Sequence, residues 1–140
     1  MIEYIDSAAV VQPQNLVGFF VGWPNSPSPE THLALLKNSD RIVLAVDRDS
    51  NRVVGFITAI TARVLSAYIP LLEVLPEYQG QGIDKQLVQR MLASLDEFYM
   101  VALLCDQPLQ AFYSQFEMVP SSGMLLRRYE FQSGKNTNSS

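Results

Sequence analysis

The stretch Leu71-Leu72-Glu73-Val74-Leu75-Pro76-Glu77-Tyr78-Gln79-Gly80-Gln81-Gly82-Ile83-Asp84-Lys85-Gln86-Leu87 constrains this chain more than any other. A mostly apolar run is cut at Pro76, which cannot donate a ladder hydrogen bond. Two glycines then permit a tight loop, and apolar residues return at helical spacing. A buried strand, a short glycine turn and a helix in this order bring backbone N–H groups together at a helix start, where an anion is stabilised. That is an anion cradle in outline, a geometry that simple connections in α/β domains share.

The flanking residues extend this unit. Ile83, Leu87, Val88, Met91, Leu92, Leu95 and Phe98 predict a helix over about 82–97 with one apolar face. Residues 99–105 are nearly all apolar and short enough for a strand buried on both faces, hence a parallel neighbour of the strand before the helix. Upstream, 41–46 and 52–60 read as a hairpin about a polar turn at 47–51, and 64–75 as the third strand of a meander. Pro70 inside that strand predicts a bulge or an unpaired segment.

Residues 2–5 predict a first strand, and Leu16, Phe19, Phe20 and Trp23 predict a helix within 15–23. The proline-rich loop 24–29 leads to a helix over 30–37, with Ser28 as its cap and Pro29 in its first turn. Pro108 opens a further helix carrying Leu109, Phe112, Tyr113 and Phe116, and 124–131 alternates as a final strand. The order β-α-α-β-β-β-α-β-α-β is α+β, a central mixed and mostly antiparallel sheet with helices on both faces. At 140 residues the chain fits a single domain, expected over 1–132, with the Ser/Asn-rich 133–140 as a flexible tail.

Composition narrows the function classes. Charged residues are 17% of the chain, below the roughly 25% usual in soluble domains, so much of it must be buried. A net charge of −4 without a basic stripe argues against a nucleic-acid binder and favours cationic partners such as amines. Cys105, the one cysteine, allows neither an intrachain disulfide nor a cysteine-built zinc site. No His, Asp and Glu share metal-ligand spacing, so no metal is expected. With no basic leader and no apolar run near about 18 residues, a soluble, cytoplasmic protein without membrane partners is expected.

Two segments together carry a family resemblance. Val74-x-Pro76-x-Tyr78-Gln79-Gly80-Gln81-Gly82-Ile83 and, later, Leu109-Gln110-Ala111-Phe112-Tyr113-Ser114-Gln115-Phe116-Glu117-Met118 resemble the two motifs of the GNAT superfamily of N-acetyltransferases. The resemblance implies the acyl-CoA N-acyltransferase fold and acetyl-CoA as cosubstrate. It implies that backbone amides over Gln79, Gly80, Gln81, Gly82, Ile83 and Asp84, with Lys85 adjacent, hold the diphosphate. It further implies that pantetheine pairs with backbone groups of Val74 and Leu75, and that Tyr113 protonates the departing thiolate. A phenol with an ordinary pKa of about 10 can serve as that acid at neutral pH. Asp84 departs from the small residue usual there. It reads either as a first-turn carboxylate that steadies the helix or as a charge that repels the diphosphate. Asp106 and Leu109 also stand where the family often has Asn and Ala.

Acetyl transfer needs a neutral amine, so a base or a water path must take its proton. Glu73, a carboxylate in an apolar strand, is the first candidate, an ion pair with Arg63 being its other reading. Phe20, Trp23 and His32 flank the proline-rich loop and are candidates for the acceptor side. The aromatics also read as core, and His32 also reads as incidental on a surface helix. Cys105 reads as core, although a thiol near the acyl site could carry an acetyl group. The expected function is acetyl-CoA-dependent acetylation of a primary amine, small or peptidic, by direct attack. A CoA-binding or regulatory module with weak or lost transfer is the alternative, and a homodimer is open.

Overall fold

The computed structural model describes residues 1–134. Five strands lie side by side in chain order: β1 (Ile2–Ile5), β2 (Arg41–Asp47), β3 (Arg52–Thr61), β4 (Ser66–Val74) and β5 (Met100–Leu103). The first four pair antiparallel, and β5 joins β4 in parallel, from Ser66 opposite Met100 to Ile69 opposite Leu103. Three helices complete the fold: α1 (Pro29–Asn38), α2 (Ile83–Ser94) and α3 (Gln110–Ser114).

Alternation along the strands builds two cores. Val43, Ala45, Ile57 and Ala59 face α2, while Ile42, Leu44, Val46 and Phe56 face Leu16, Phe20 and Leu36 on the other side. Helix α2 lies close on the sheet because Gly55 has no side chain. A Cβ there would come within 3.1 Å of Leu87 Cδ1 and 3.2 Å of Ile83 Cγ2. This close approach sets the first turn of α2 beside the end of β4. Helix α1 starts as its sequence predicts, with the Thr31 N–H donating to Ser28 Oγ and Pro29 in the first turn. At Pro70 the expected bulge is present: Thr58 opposes Leu71 whereas Ile60 opposes Tyr68, so one residue of β3 faces two of β4.

Three expectations are corrected. Residues 15–23 are not a helix: after a 3-10 turn over Pro13–Leu16, Gly18, Phe20 and Gly22 take φ of 104°, 64° and 82°. No right-handed helix accommodates such angles. The apolar residues still bury, but in a packed loop. Second, 124–131 does not join the sheet; 124–128 is exposed and without regular secondary structure, and a short 3-10 turn follows over Tyr129–Phe131. Third, β5 is therefore an edge strand covered on one face, so Val101 and Leu103 are half-buried while Met100 and Ala102 are exposed. Of the expected tail, 135–140 lie outside the described residues, and Gly134 N–H donates to Phe131 O at 2.9 Å to close a turn. No helix among the described residues is long and apolar enough to cross a membrane.

Candidate active site

Strand β4 outruns β5. Past the last pair, Ile69 with Leu103, β4 continues to Val74 with no paired strand on that side among the described residues. A cleft of about 490 Å3 opens there. Leu72, Glu73 and Val74 line it from β4, Tyr78, Gln79 and Gly80 from the loop, Ile83 and Asp84 from α2, and Leu109, Phe112 and Tyr113 from the region of α3. Val74 faces the cleft, and its carbonyl accepts from Gln79 Nε2 at 3.0 Å. Leu75 does not face it: its N–H donates to Val54 O at 2.8 Å, its carbonyl accepts from Tyr78 N–H at 2.9 Å, and its side chain lies in the core. Both of its backbone groups are engaged within the fold.

The loop after β4 is strapped to the β2–β3 hairpin. Tyr78 Oη donates to Asp47 Oδ2 at 2.6 Å, and Arg52 Nη1 donates to Glu77 Oε1 at 2.8 Å. The hydrogen bond from Tyr78 and backbone bonding by Asp49 hold the Asp47 carboxyl below its usual range. Beyond the strap, the amides of Gly80, Gln81, Gly82, Ile83 and Asp84 have no acceptor among the described residues. Gly80 and Gly82 take φ of 80° and 81° with open space where a Cβ would point. Gly82 caps α2 without a side-chain bond. Unpaired amides at the positive end of a helix, bordering an open cleft, fit the diphosphate of the implied acyl carrier. Asp84 turns onto its own helix, Oδ1 accepting from Lys85 N–H at 2.8 Å, and also borders the cleft. Gln81 and Lys85 are exposed.

Tyr113 stands across the cleft from this loop. Its ring packs edge-on against Phe112 at 5.0 Å, and its hydroxyl has no hydrogen-bond partner among the described residues. Burial above all, then the negative charge available at Cys105 and Asp84, pushes the phenol up to about 12. It is therefore protonated at neutral pH and free to donate.

Glu73 is not paired with Arg63. Its Oε1 and Oε2 accept from the Phe20 N–H at 2.9 and 3.0 Å, and Oε2 accepts from Val21 N–H at 3.3 Å. The carboxylate thus takes up amides that the missing helix would have used, and it holds the loop at 18–21. On the far side of that loop lies a hollow of about 520 Å3 lined by Phe20, the segment 25–29 and His32. Trp23 packs on Phe20 at 4.8 Å and lines neither hollow.

His32 is not a surface histidine; it is 1% exposed. Phe19, Phe20 and Phe56 surround its ring at 5.3, 4.9 and 4.4 Å, and neither ring nitrogen has a hydrogen-bond partner among the described residues. Burial pushes its pKa down to about 4, so the ring is neutral at pH 7.

A larger hollow, about 750 Å3, opens between Tyr4, the C-terminal ends of α1 and α2, and the start of β2. Residues from the C-terminal ends of both helices line that space together with Lys37, Arg41 and Arg90, and no glycine loop borders it. Among the described residues no three His, Cys, Asp or Glu side chains gather to hold a metal ion. The strap from Tyr78 to Asp47 has no signal in the sequence, since its ends lie 31 residues apart, at the end of β2 and in the turn after β4.

A family model described as Acetyltransferase (GNAT) family matches residues 10–118. The chain is similar to the uncharacterized N-acetyltransferase ycf52 of Pyropia yezoensis, 26% identical over 102 residues, which is 71% of this chain and 59% of that protein. It thus spans less than two thirds of that relative's length. A crystal structure from Deinococcus radiodurans R1, of a protein only provisionally assigned as an acetyltransferase, is 38% identical with a TM-score of 0.92. That match covers 97% of this chain and 94% of the other. A GNAT-family acetyltransferase of Streptococcus pneumoniae TIGR4 is 29% identical with a TM-score of 0.72, over 91% and 98% of the two chains.

Proposed function

The chain belongs to the GNAT acetyltransferase family, and from that premise we propose that it transfers the acetyl group of acetyl-CoA to a primary amine by direct attack. The observation that carries this reading is one cleft bordered by Gly80, Ile83 and Asp84, whose amides are unpaired, on one side and by the unpartnered, protonated hydroxyl of Tyr113 on the other. In this reading the amides hold the diphosphate, and the Val74 edge of β4 aligns the pantetheine arm. The amine nitrogen forms a bond to the thioester carbonyl carbon, the carbon–sulfur bond breaks, and the sulfur takes the Tyr113 proton. The amine's own proton leaves to Glu73 or to water beside it. Glu73 also positions the acceptor wall through Phe20 and Val21. Phe20 and His32 line the hollow beyond that wall, which supports an acceptor with an apolar part, as a small amine or a peptide amine can offer. The reading takes residues 1–132 as one cytoplasmic domain.

Release of free CoA thiol from acetyl-CoA with a panel of amines tests it. Tyr113→Phe is expected to lower kcat about 100-fold with little change in acetyl-CoA binding; full turnover by that variant removes Tyr113 from this role. A second reading, a CoA-binding or regulatory module without efficient transfer, draws on the Asp84 carboxylate at the cleft. Calorimetry separates the two. Absent acetyl-CoA binding that Asp84→Gly restores favours the module, and tight binding by the natural chain disfavours it.

A further inference from the structure

The hollow beyond the loop at 18–21 differs from the other two in its chemistry. Glu73 and Asp84 border the cleft, and Lys37, Arg41 and Arg90 with two aspartates border the largest hollow. Among the described residues no Asp, Glu, Lys or Arg lines this one. A charged group entering it loses hydration and finds no counterion, which is costly.

One polar group there is unmet. The His32 N–H donates to Ser28 O at 2.8 Å and the Thr31 N–H donates to Ser28 Oγ at 3.1 Å, so the first turn of α1 fixes the backbone that carries the ring. Both ring nitrogens are buried without a hydrogen-bond partner among the described residues, whereas buried polar groups are nearly always bonded. A neutral imidazole offers one N–H and one lone pair. A hydroxyl or an amide can donate and accept, and so can answer either nitrogen. An ammonium answers only the lone pair and brings a charge that the hollow does not balance.

Phe20 measures the distance from this ring to the chemistry. Its N–H donates to Glu73 Oε1 at 2.9 Å, and its ring centroid lies 4.9 Å from that of His32. The two ends are thus separated by the length of a phenylalanine residue. Gly18, Val21 and Gly22 are exposed, which leaves the rim of the loop open to a ligand lying across it.

We infer that this hollow receives the tail of the acceptor and that His32 sets its class: a monoamine whose tail carries a hydroxyl or amide for the imidazole and no second charge. The inference rests on the transferase reading for the amine end and on the hollow for the tail. It disfavours polyamines, amino-sugar phosphates and amino acids, whose second charge has no partner there.

Two matched sets test it: aminopentanol and cadaverine against pentylamine, and tyramine against phenethylamine. Affinity is read from the ring-proton resonance of His32, the sole histidine, and turnover from CoA release. In at least one set the hydroxyl amine is expected to shift the His32 resonance and to bind about tenfold tighter than its counterpart. Cadaverine, with its second ammonium, is expected to bind at least about tenfold weaker than aminopentanol. His32→Leu should erase the hydroxyl preference. Ser26→Asp, at an exposed position lining the hollow, should raise cadaverine affinity about tenfold, and with the natural chain it carries the test if His32→Leu fails to fold. Equal binding within both sets, cadaverine matching aminopentanol, or a His32 resonance that no amine moves overturns the inference. CoA release without hydroxyl preference sinks this inference and leaves the transferase reading. The preference without CoA release does the reverse.

Discussion

His32 ties the stability of this protein to pH in a window where little else titrates. Its imidazole is enclosed by three phenylalanine rings with both nitrogens unbonded, and its pKa falls from 6.5 to about 4. The unfolded chain therefore binds a proton between those values that the folded chain does not. The folded pKa is depressed for a base, so its contribution is fully present above pH 6.5 and declines as pH falls toward 4. From pH 7 to pH 5 that linkage removes about 2 kcal/mol, a large part of a typical stability. His32 is the sole histidine, and ordinary carboxylates remain ionised in both states at pH 5. Urea unfolding at pH 7 and pH 5 reads the difference directly. His32→Leu, which keeps the volume and removes the titrating ring, is expected to lose most of the pH dependence. An equal drop in that variant, or a natural His32 ring proton resonance titrating near 6.5 in the folded state, would refute the reasoning.

Other perturbations probe the site's supports. Glu73→Gln puts an amide nitrogen where the Phe20 and Val21 amides need an acceptor; a stability loss of about 1–3 kcal/mol and a raised KM for the amine are expected from denaturation and initial rates. Gly55→Ala drives a methyl against Leu87 and Ile83; overpacking should cost about 1–3 kcal/mol, and calorimetry should show weaker acetyl-CoA binding as the start of α2 shifts. Gly82→Ala places a side chain at φ 81°; about 1–2 kcal/mol of strain should appear in thermal unfolding, with a several-fold rise in the acetyl-CoA Kd. For Asp47, held low by Tyr78, the stabilisation is present above its unfolded pKa and lost as pH falls through the lower folded value. Tyr78→Phe should therefore shift the acid-unfolding midpoint upward.

Much of the fold was legible because its signals are local. The strand, Pro76, the two glycines and the helix from Ile83 each follow from backbone restrictions of neighbouring residues, and the Ser28 cap and Pro70 bulge do likewise. The open amides of the glycine loop were legible for the same reason, since glycine and a helix start place them. The helical spacing of Leu16, Phe19, Phe20 and Trp23 misled because burial alone sets an apolar pattern, and a loop held by a distant carboxylate buries the same rings.

By itself, then, the sequence determined the elements whose geometry is set within a few residues: the meander, the glycine loop, α2 and the aromatic segment bearing Tyr113. Tertiary structure alone decided what depends on partners far along the chain. Phe20 meets Glu73 and Tyr78 meets Asp47 across 53 and 31 residues, His32 turns inward to a cage, Leu75 leaves the cleft, and the strand-like 124–131 finds no place in its own sheet. Periodicity reports that a side chain prefers burial; only packing in three dimensions decides against what.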